Sequence, residues 1–86
     1  MPWRYVVTKP AEKDLDRLPA TDREAVRRAL NRMVEDPHSV DLSKLAGHED
    51  EWRLRVGRWR VRLMFDNASG TMQVLRVLPR KEAYRD

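Results

Sequence analysis

Residues 51–65 (EWRLRVGRWRVRLMF) alternate between apolar and polar side chains on both sides of a single glycine. A period of two is typical of strands with one buried face, so this segment predicts a β-hairpin. Its centre, Gly57-Arg58, fits a two-residue type II′ turn, in which glycine takes the first central position. Val56 then lies opposite Trp59, and counting outward from this pair gives the register of the whole hairpin.

The predicted register divides the hairpin into an apolar face and a face of arginines. Trp52 and Trp59 fall on the apolar face and are expected to belong to the core. The opposite face, named here the arginine face, carries two cross-strand pairs, Arg53 with Arg62 and Arg55 with Arg60. Like charges placed directly opposite each other destabilise a sheet by some tenths of a kcal/mol, so the pattern favours an anionic ligand. Alternatively, these arginines are the solvated side of the sheet, partly neutralised by Asp66, Glu82 or the acidic residues 49–51.

Two further strands and two helices accompany the hairpin. Residues 3–8 (WRYVVT) are aromatic and β-branched and predict a first strand. Residues 71–78 (TMQVLRVL) are apolar on both faces, as expected of an interior strand. An apolar stripe predicts a helix over residues 10–18. The T-x-x-E capping box at residues 21–24 predicts the start of a second helix, which ends at Asp36-Pro37.

The segment 37–50 contains turn-forming residues and no sustained period, so we expect a loop that Leu42 and Leu45 attach to the core. The predicted order of elements is therefore β-α-α-β-β-β. It describes a single α+β domain spanning residues 1–86, in which an N-terminal helical hairpin covers one face of a small, mostly antiparallel sheet.

The composition excludes several classes of protein. The chain of 86 residues has no cysteine and only two histidines, which excludes a disulfide framework and leaves too few ligands for a structural metal. No apolar run exceeds three residues, so we expect no signal peptide, no membrane span and a cytoplasmic location. We also expect no cofactor.

The positive charge is concentrated in the second half of the chain. Residues 1–51 contain 9 basic and 11 acidic side chains, whereas residues 52–86 contain 9 basic and 3 acidic ones. Of the 18 basic residues 14 are arginine, whose planar fork of donors suits phosphate groups. The charge therefore indicates a polyanionic partner, although a GC-rich genome would also enrich arginine.

The C-terminal residues 79–86 (PRKEAYRD) add two candidate reactive groups. If the last strand lies beside the hairpin, Arg80 and Tyr84 can return over the arginine face. Cleavage of RNA requires an aligned 2′-hydroxyl, a stabilised phosphorane and a protonated 5′-oxygen. Arginines meet the second requirement, and a tyrosine can orient the 2′-hydroxyl or accept its proton. His38 and His48 are expected at the surface, so the sequence identifies no general base for neutral pH.

The segment Lys44–Asp66 and the tail Arg80–Arg85 resemble the RelE/ParE superfamily of toxins from bacterial toxin-antitoxin modules. The shared pattern is K-L-x-G, W-R-L-R-x-G, a following R-V, and a terminal R-x-x-x-Y-R. This pattern covers half of the chain, and the predicted order of elements fits the rest. The resemblance implies a compact sheet with a helical hairpin on one face, and an antitoxin with a disordered segment that folds against the toxin.

RelE-like members are ribosome-dependent ribonucleases that cut mRNA in the A site without a metal, through 2′-hydroxyl attack that yields a cyclic phosphate. Their working positions fall on Arg53, Arg55, Arg60, Arg80 and Tyr84. We expect the catalytic residues to be Arg55, Arg60, Arg80 and Tyr84. We expect RNA phosphates to be bound by Arg53, Arg62, Lys81 and Arg85. The pair on the second strand of the family is commonly lysine, and because arginine keeps its proton, Arg55 is expected to stabilise charge.

ParE-like relatives share the fold but inhibit DNA gyrase by binding, and they generally lack the full basic and phenolic set. Retention of that set favours a ribonuclease whose partners are an antitoxin, the ribosome and mRNA. The alternatives are a gyrase inhibitor and an inactive, RNA-binding relative. An acidic or amphipathic antitoxin segment would silence the arginine face by lying on it or by displacing the tail.

Overall fold

The computed structural model describes residues 3–45 and 50–83. The elements are β1 (Arg4–Val7), α1 (Lys9–Arg17), α2 (Ala20–Glu35), a 3₁₀ turn (Pro37–Ser39), β2 (Leu42–Lys44), β3 (Glu51–Val56), β4 (Trp59–Asp66), β5 (Thr71–Pro79) and α3 (Arg80–Ala83). The sheet has five strands in the order β1-β5-β4-β3-β2. β1 runs parallel to β5, and the other three pairings are antiparallel. The predicted α+β class is confirmed, and β5 is an interior strand as predicted.

The hairpin of β3 and β4 has the register counted from the sequence. Its pairs are Val56 with Trp59, Arg55 with Arg60, Leu54 with Val61, Arg53 with Arg62 and Trp52 with Leu63. Gly57 has a φ of 56°, and no other residue type among the described positions has a positive φ. A positive φ at the first central position alone is the signature of a type II′ turn. Glycine adopts it without strain, so Gly57 sets the turn and with it the register.

The core lies between one face of the sheet and the two longer helices. Its helical part includes Leu15, Leu30 and Met33, and its strand part includes Leu54 and Leu63, all of them at most 1% exposed. Trp52 and Trp59 are partly buried against this core, in agreement with the prediction. Because side chains alternate along a strand, the arginine face is the side of the sheet away from the helices.

The second helix begins one residue before the predicted capping box, and the capping box itself does not form. α2 begins at Ala20 after Pro19, and no side chain caps it, so Thr21 lies within its first turn. α1, in contrast, is capped by the hydroxyl of Thr8. Arg23 donates from Nε to the carbonyl oxygen of Leu15 at 2.9 Å and so gives a hydrogen-bond donor to one of the last carbonyl groups of α1. Tertiary contacts to the preceding helix therefore set this junction, rather than a local capping box.

The prediction that residues 37–50 form a loop is also wrong in part. The segment contains the 3₁₀ turn and the short strand β2, which pairs antiparallel with β3. Three residues are too few to show a period, so only the neighbouring strand reveals β2. Leu42 packs against the core as expected. Residues 46–49, which include His48, lie outside the described part of the chain.

An irregularity in β5 affects the arginine face. The pairing of β4 with β5 shifts between Arg62 and Leu63, so that Arg62 lies opposite Arg76 while Leu63 lies opposite Val74. Leu75 is therefore the extra residue of a β-bulge. The bulge brings Arg76 into line with the arginines of the hairpin. Within the described ranges, no helix is long and apolar enough to cross a membrane.

Candidate functional site

The strand pairings place the residues of the arginine face in four transverse rows. The first row contains Arg55, Arg60 and Leu78. The second row contains Ser43, Arg53, Arg62 and Arg76. The third row contains Glu51, Met64, Gln73 and Val6. The fourth row contains Asp66, Thr71 and Arg4. The register thus brings the predicted hairpin arginines together, and adds Ser43, Glu51 and Arg76, which the sequence analysis did not assign to the site.

The two arginines of the first row differ in exposure. Arg55 is exposed, whereas Arg60 is 3% exposed. Nη1 of Arg60 donates to the carbonyl oxygens of Gly57 at 2.8 Å and of Trp59 at 2.9 Å. Arg60 therefore lies beside Arg55 as predicted, but part of its guanidinium binds the backbone of the hairpin turn. In this conformation it stiffens the turn and is not an open phosphate ligand.

In the second row, Arg62 has a carboxylate partner. Its Nη2 donates to both carboxylate oxygens of Glu51, at 3.0 and 3.1 Å. The side chains of Arg62 and Glu51 are 29% and 12% exposed. Part of the charge of the arginine face is thus neutralised from residues 49–51, as the alternative interpretation of the sequence allowed. Arg53, opposite Arg62, is partly buried.

The last arginine of the second row is bound to a helix. Asp14 of α1 accepts from Nε of Arg76 at 2.7 Å, from its Nη2 at 3.1 Å, and from the backbone N–H of Val77 at 2.9 Å. The hydrogen bond to Asp14 is the main cause of the raised pKa of Arg76, and the charges of Asp14 and Glu82 act in the same direction against desolvation. Arg76 therefore stays protonated, and its interaction with Asp14 fastens α1 to β5.

The start of the tail lies next to the hairpin turn. The backbone N–H of Arg80 donates to the carbonyl oxygen of Arg58 at 2.9 Å, and the side chains of Arg80 and Lys81 are exposed. The predicted site residues Tyr84 and Arg85 lie outside the described residues. Beside α3, a cleft of about 240 Å³ lies between the end of α1 and β5, and it includes Trp59 and Glu82 in its lining.

The three missed residues were missed for different reasons. Glu51 follows the same alternation as Arg53 and Arg55, so the period of two could have placed it on the arginine face. Ser43 depends on β2, and Arg76 depends on the bulge, and neither feature leaves a periodic signal in the sequence.

Comparison with known proteins identifies the family. Residues 5–84 match the model of the ParE toxin of type II toxin-antitoxin system, parDE. The chain belongs to this family. No curated protein matches it.

Solved structures of RelE proteins are similar to this toxin. The toxin-antitoxin complex RelBE2 from Mycobacterium tuberculosis has a TM-score of 0.80 and 26% identity, over 93% of this chain and 100% of that chain. The archaeal RelE-RelB complex from Pyrococcus horikoshii OT3 has a TM-score of 0.79 and 25% identity, over 93% and 97% of the two chains. A mutant of E. coli RelE in the free state shares the fold, with a TM-score of 0.77 and 24% identity over 98% and 88%. The family and these structures agree with the RelE/ParE resemblance drawn from the sequence.

Proposed function

We propose that this toxin is a RelE-like endoribonuclease, which cleaves mRNA in the ribosomal A site through metal-independent attack of the 2′-hydroxyl and so inhibits translation. The observation that carries the proposal is the register of β3 and β4, which gathers Arg53, Arg55, Arg60 and Arg62 on the side of the sheet away from the helices. An RNA backbone laid across these rows presents its phosphates to cations on two adjacent strands.

The residues would divide the work according to their exposure. Arg55 is exposed and would bind the scissile phosphate and stabilise the phosphorane, because a guanidinium donates several hydrogen bonds to phosphate oxygens. Arg60, held at the turn, would contribute fixed positive charge next to Arg55. Arg53 and Arg62 would bind adjacent phosphates. From the tail, Arg80 would stabilise the charge that develops on the leaving group, and Tyr84 would position the attacking hydroxyl, with Lys81 and Arg85 as phosphate contacts.

The test is cleavage of message on programmed ribosomes, with the new mRNA ends mapped. We expect a cut in the A-site codon that disappears when the nucleotide supplying the attacking hydroxyl is replaced by its 2′-deoxy form. Tyr84→Phe and Arg80→Ala should abolish the cut without changing the urea midpoint of unfolding. Intact message with the wild-type toxin would refute the proposal, and unimpaired cleavage by both variants would refute the roles of the tail.

A second candidate is non-catalytic inhibition of DNA gyrase, as in ParE-like relatives. The match to the ParE family model favours it, and so do the engaged guanidinium groups of Arg60 and Arg62. Incubation of the toxin with gyrase and supercoiled DNA separates the two functions. Accumulation of gyrase-cleaved DNA, with message left intact on the ribosome, would establish gyrase inhibition as the function and refute the ribonuclease proposal.

We further propose that the partner of this toxin is a cognate antitoxin, since two of the similar structures described above are complexes of a RelE protein with its antitoxin. An acidic or amphipathic segment of that antitoxin would neutralise the arginine face or displace α3, which has only four residues. Antitoxin added to the ribosome assay should suppress cleavage in proportion to the complex formed.

A further inference from the structure

The arginine face contains a carboxylate that the family resemblance does not assign to the site. Of the residues in the first three rows, only Glu51 is acidic. Asp66 lies in the fourth row, where its carboxylate accepts from the N–H of Ala68 and the hydroxyl of Ser69 in the following turn. It precedes Arg53 by two residues on the same strand, so both side chains lie on the same face. Its side chain is 12% exposed, so the carboxylate is largely shielded from water beside the guanidinium of Arg62.

The contact between Glu51 and Arg62 leaves part of the guanidinium available. Both carboxylate oxygens accept from the single nitrogen Nη2 of Arg62. Arginine has five N–H donors, and within the described part of the chain Nε and Nη1 of Arg62 have no partner. Arg62 can therefore hold a phosphate oxygen while Glu51 remains on its other nitrogen.

This arrangement matches the requirement of the reaction. In RNA the 2′-oxygen attacks the phosphorus of the 3′-phosphodiester on the same ribose, so the two atoms are close neighbours. A proton acceptor must therefore lie next to the cation that binds the phosphate, within hydrogen-bond distance of the hydroxyl. A carboxylate and a phosphate that share one guanidinium are neighbours of this kind.

We propose that Glu51 is the general base of the ribonuclease, an inference that rests on the function proposed above. The carboxylate of Glu51 takes the proton of the 2′-hydroxyl, and the 2′-oxygen forms a bond to phosphorus. The bond from phosphorus to the 5′-oxygen breaks, and that oxygen keeps the electron pair and takes a proton from water. The products are a 2′,3′-cyclic phosphate and a 5′-hydroxyl, and Glu51 returns its proton to solvent.

The test is single-turnover cleavage on programmed ribosomes, together with binding to a single-stranded RNA oligonucleotide. Glu51→Gln keeps the shape of the side chain but cannot accept the proton, so we expect cleavage about 100-fold slower or worse. RNA binding should be as tight as in the wild type or tighter, because a negative charge leaves the arginine face. Glu51→Asp, which keeps a carboxylate on a shorter side chain, should cleave at an intermediate rate.

Two controls separate a base from a counter-ion. Glu35→Gln makes the same change of charge at the end of α2 and should leave cleavage and binding unchanged. Arg62→Gln should mainly weaken RNA binding and should lose less of the saturated rate than Glu51→Gln. If Glu51 only positions Arg62, the two variants will lose the same activity, and this result overturns the proposal.

The proposal is also overturned if the wild type cleaves and Glu51→Gln cleaves within about threefold of it at saturation. That outcome leaves the ribonuclease function intact. A wild-type toxin that cuts no message refutes the ribonuclease function and the role of Glu51 with it. The activity of the wild type therefore distinguishes the two failures.

Discussion

Arg62 and Arg76 lie opposite each other on β4 and β5, and each binds a carboxylate, but the two carboxylates come from different parts of the molecule. Asp14 reaches Arg76 from a helix, and it also accepts from the backbone N–H of Val77. Glu51 reaches Arg62 from the adjacent strand and stays on the arginine face. The same pair of chemical groups therefore joins a helix to a strand in one place and stays on the arginine face of the sheet in the other.

The difference follows from where each strand loses its neighbour. The pairing of β1 with β5 ends at Val7 and Val74, so the N–H of Val77 has no strand partner on that side. Asp14 supplies the acceptor, and a buried N–H without one would be costly. β3, in contrast, is paired on both sides near Glu51, so this carboxylate is not needed to complete the sheet. What a carboxylate does here depends on the backbone beside it.

The largest effect is expected from Asp14→Ala. It removes the acceptor of three hydrogen bonds and leaves the N–H of Val77 unsatisfied, which we expect to lower the free energy of unfolding by about 2–4 kcal/mol. Because the pKa of Arg76 is raised by folding, its stabilising contribution is complete below the ordinary pKa of arginine and is lost only above it. Arg76 is therefore protonated in both the folded and the unfolded state near neutral pH, and the loss of stability caused by Asp14→Ala should not change with pH there through this residue. Urea unfolding monitored by tryptophan fluorescence measures this change in the free energy of unfolding.

The matched control for this prediction is Glu51→Gln, which changes the charge of the other carboxylate. It should lower the free energy of unfolding by less than about 1 kcal/mol, because the amide oxygen of glutamine can still accept from Arg62. Equal losses for both variants would remove the distinction between the pair that joins α1 to β5 and the pair that lies within the sheet.

The two sides of the sheet were not equally predictable from the sequence. Alternation around Gly57 is local, so it gives the register of the hairpin and the division into two faces. The partners Asp14 and Arg76 are 62 residues apart, and no local pattern connects them. The sequence pattern does not predict the contacts of each guanidinium either. Arg55 and Arg60 occupy equivalent positions in the pattern, but only Arg60 donates to backbone carbonyl oxygens of the hairpin turn. Sequence periodicity gives the row in which a residue lies and leaves its contacts to the tertiary structure.

The next effect in size is expected from Arg60→Gln. The shorter amide cannot make both bonds to the carbonyl oxygens of Gly57 and Trp59, and this site is almost fully buried. We expect the free energy of unfolding to fall by about 1–3 kcal/mol, measured by the same urea titration. A variant as stable as the wild type would mean that the turn does not depend on Arg60, and would leave its guanidinium available to the RNA.

The smallest effect on folding, and the sharpest on binding, is expected from Arg55→Gln. Arg55 is exposed and no carboxylate contacts it within the described ranges, so the free energy of unfolding should change by less than about 0.5 kcal/mol. If Arg55 binds a phosphate, the substitution weakens binding to a single-stranded RNA oligonucleotide and lowers the salt dependence of log K by about 0.7. Lys9→Gln removes one positive charge from the start of α1 and should leave that slope unchanged. An equal change of slope in both variants would mean that RNA binding depends only on the net charge of the protein. Arg55 would then make no specific contact with an RNA phosphate.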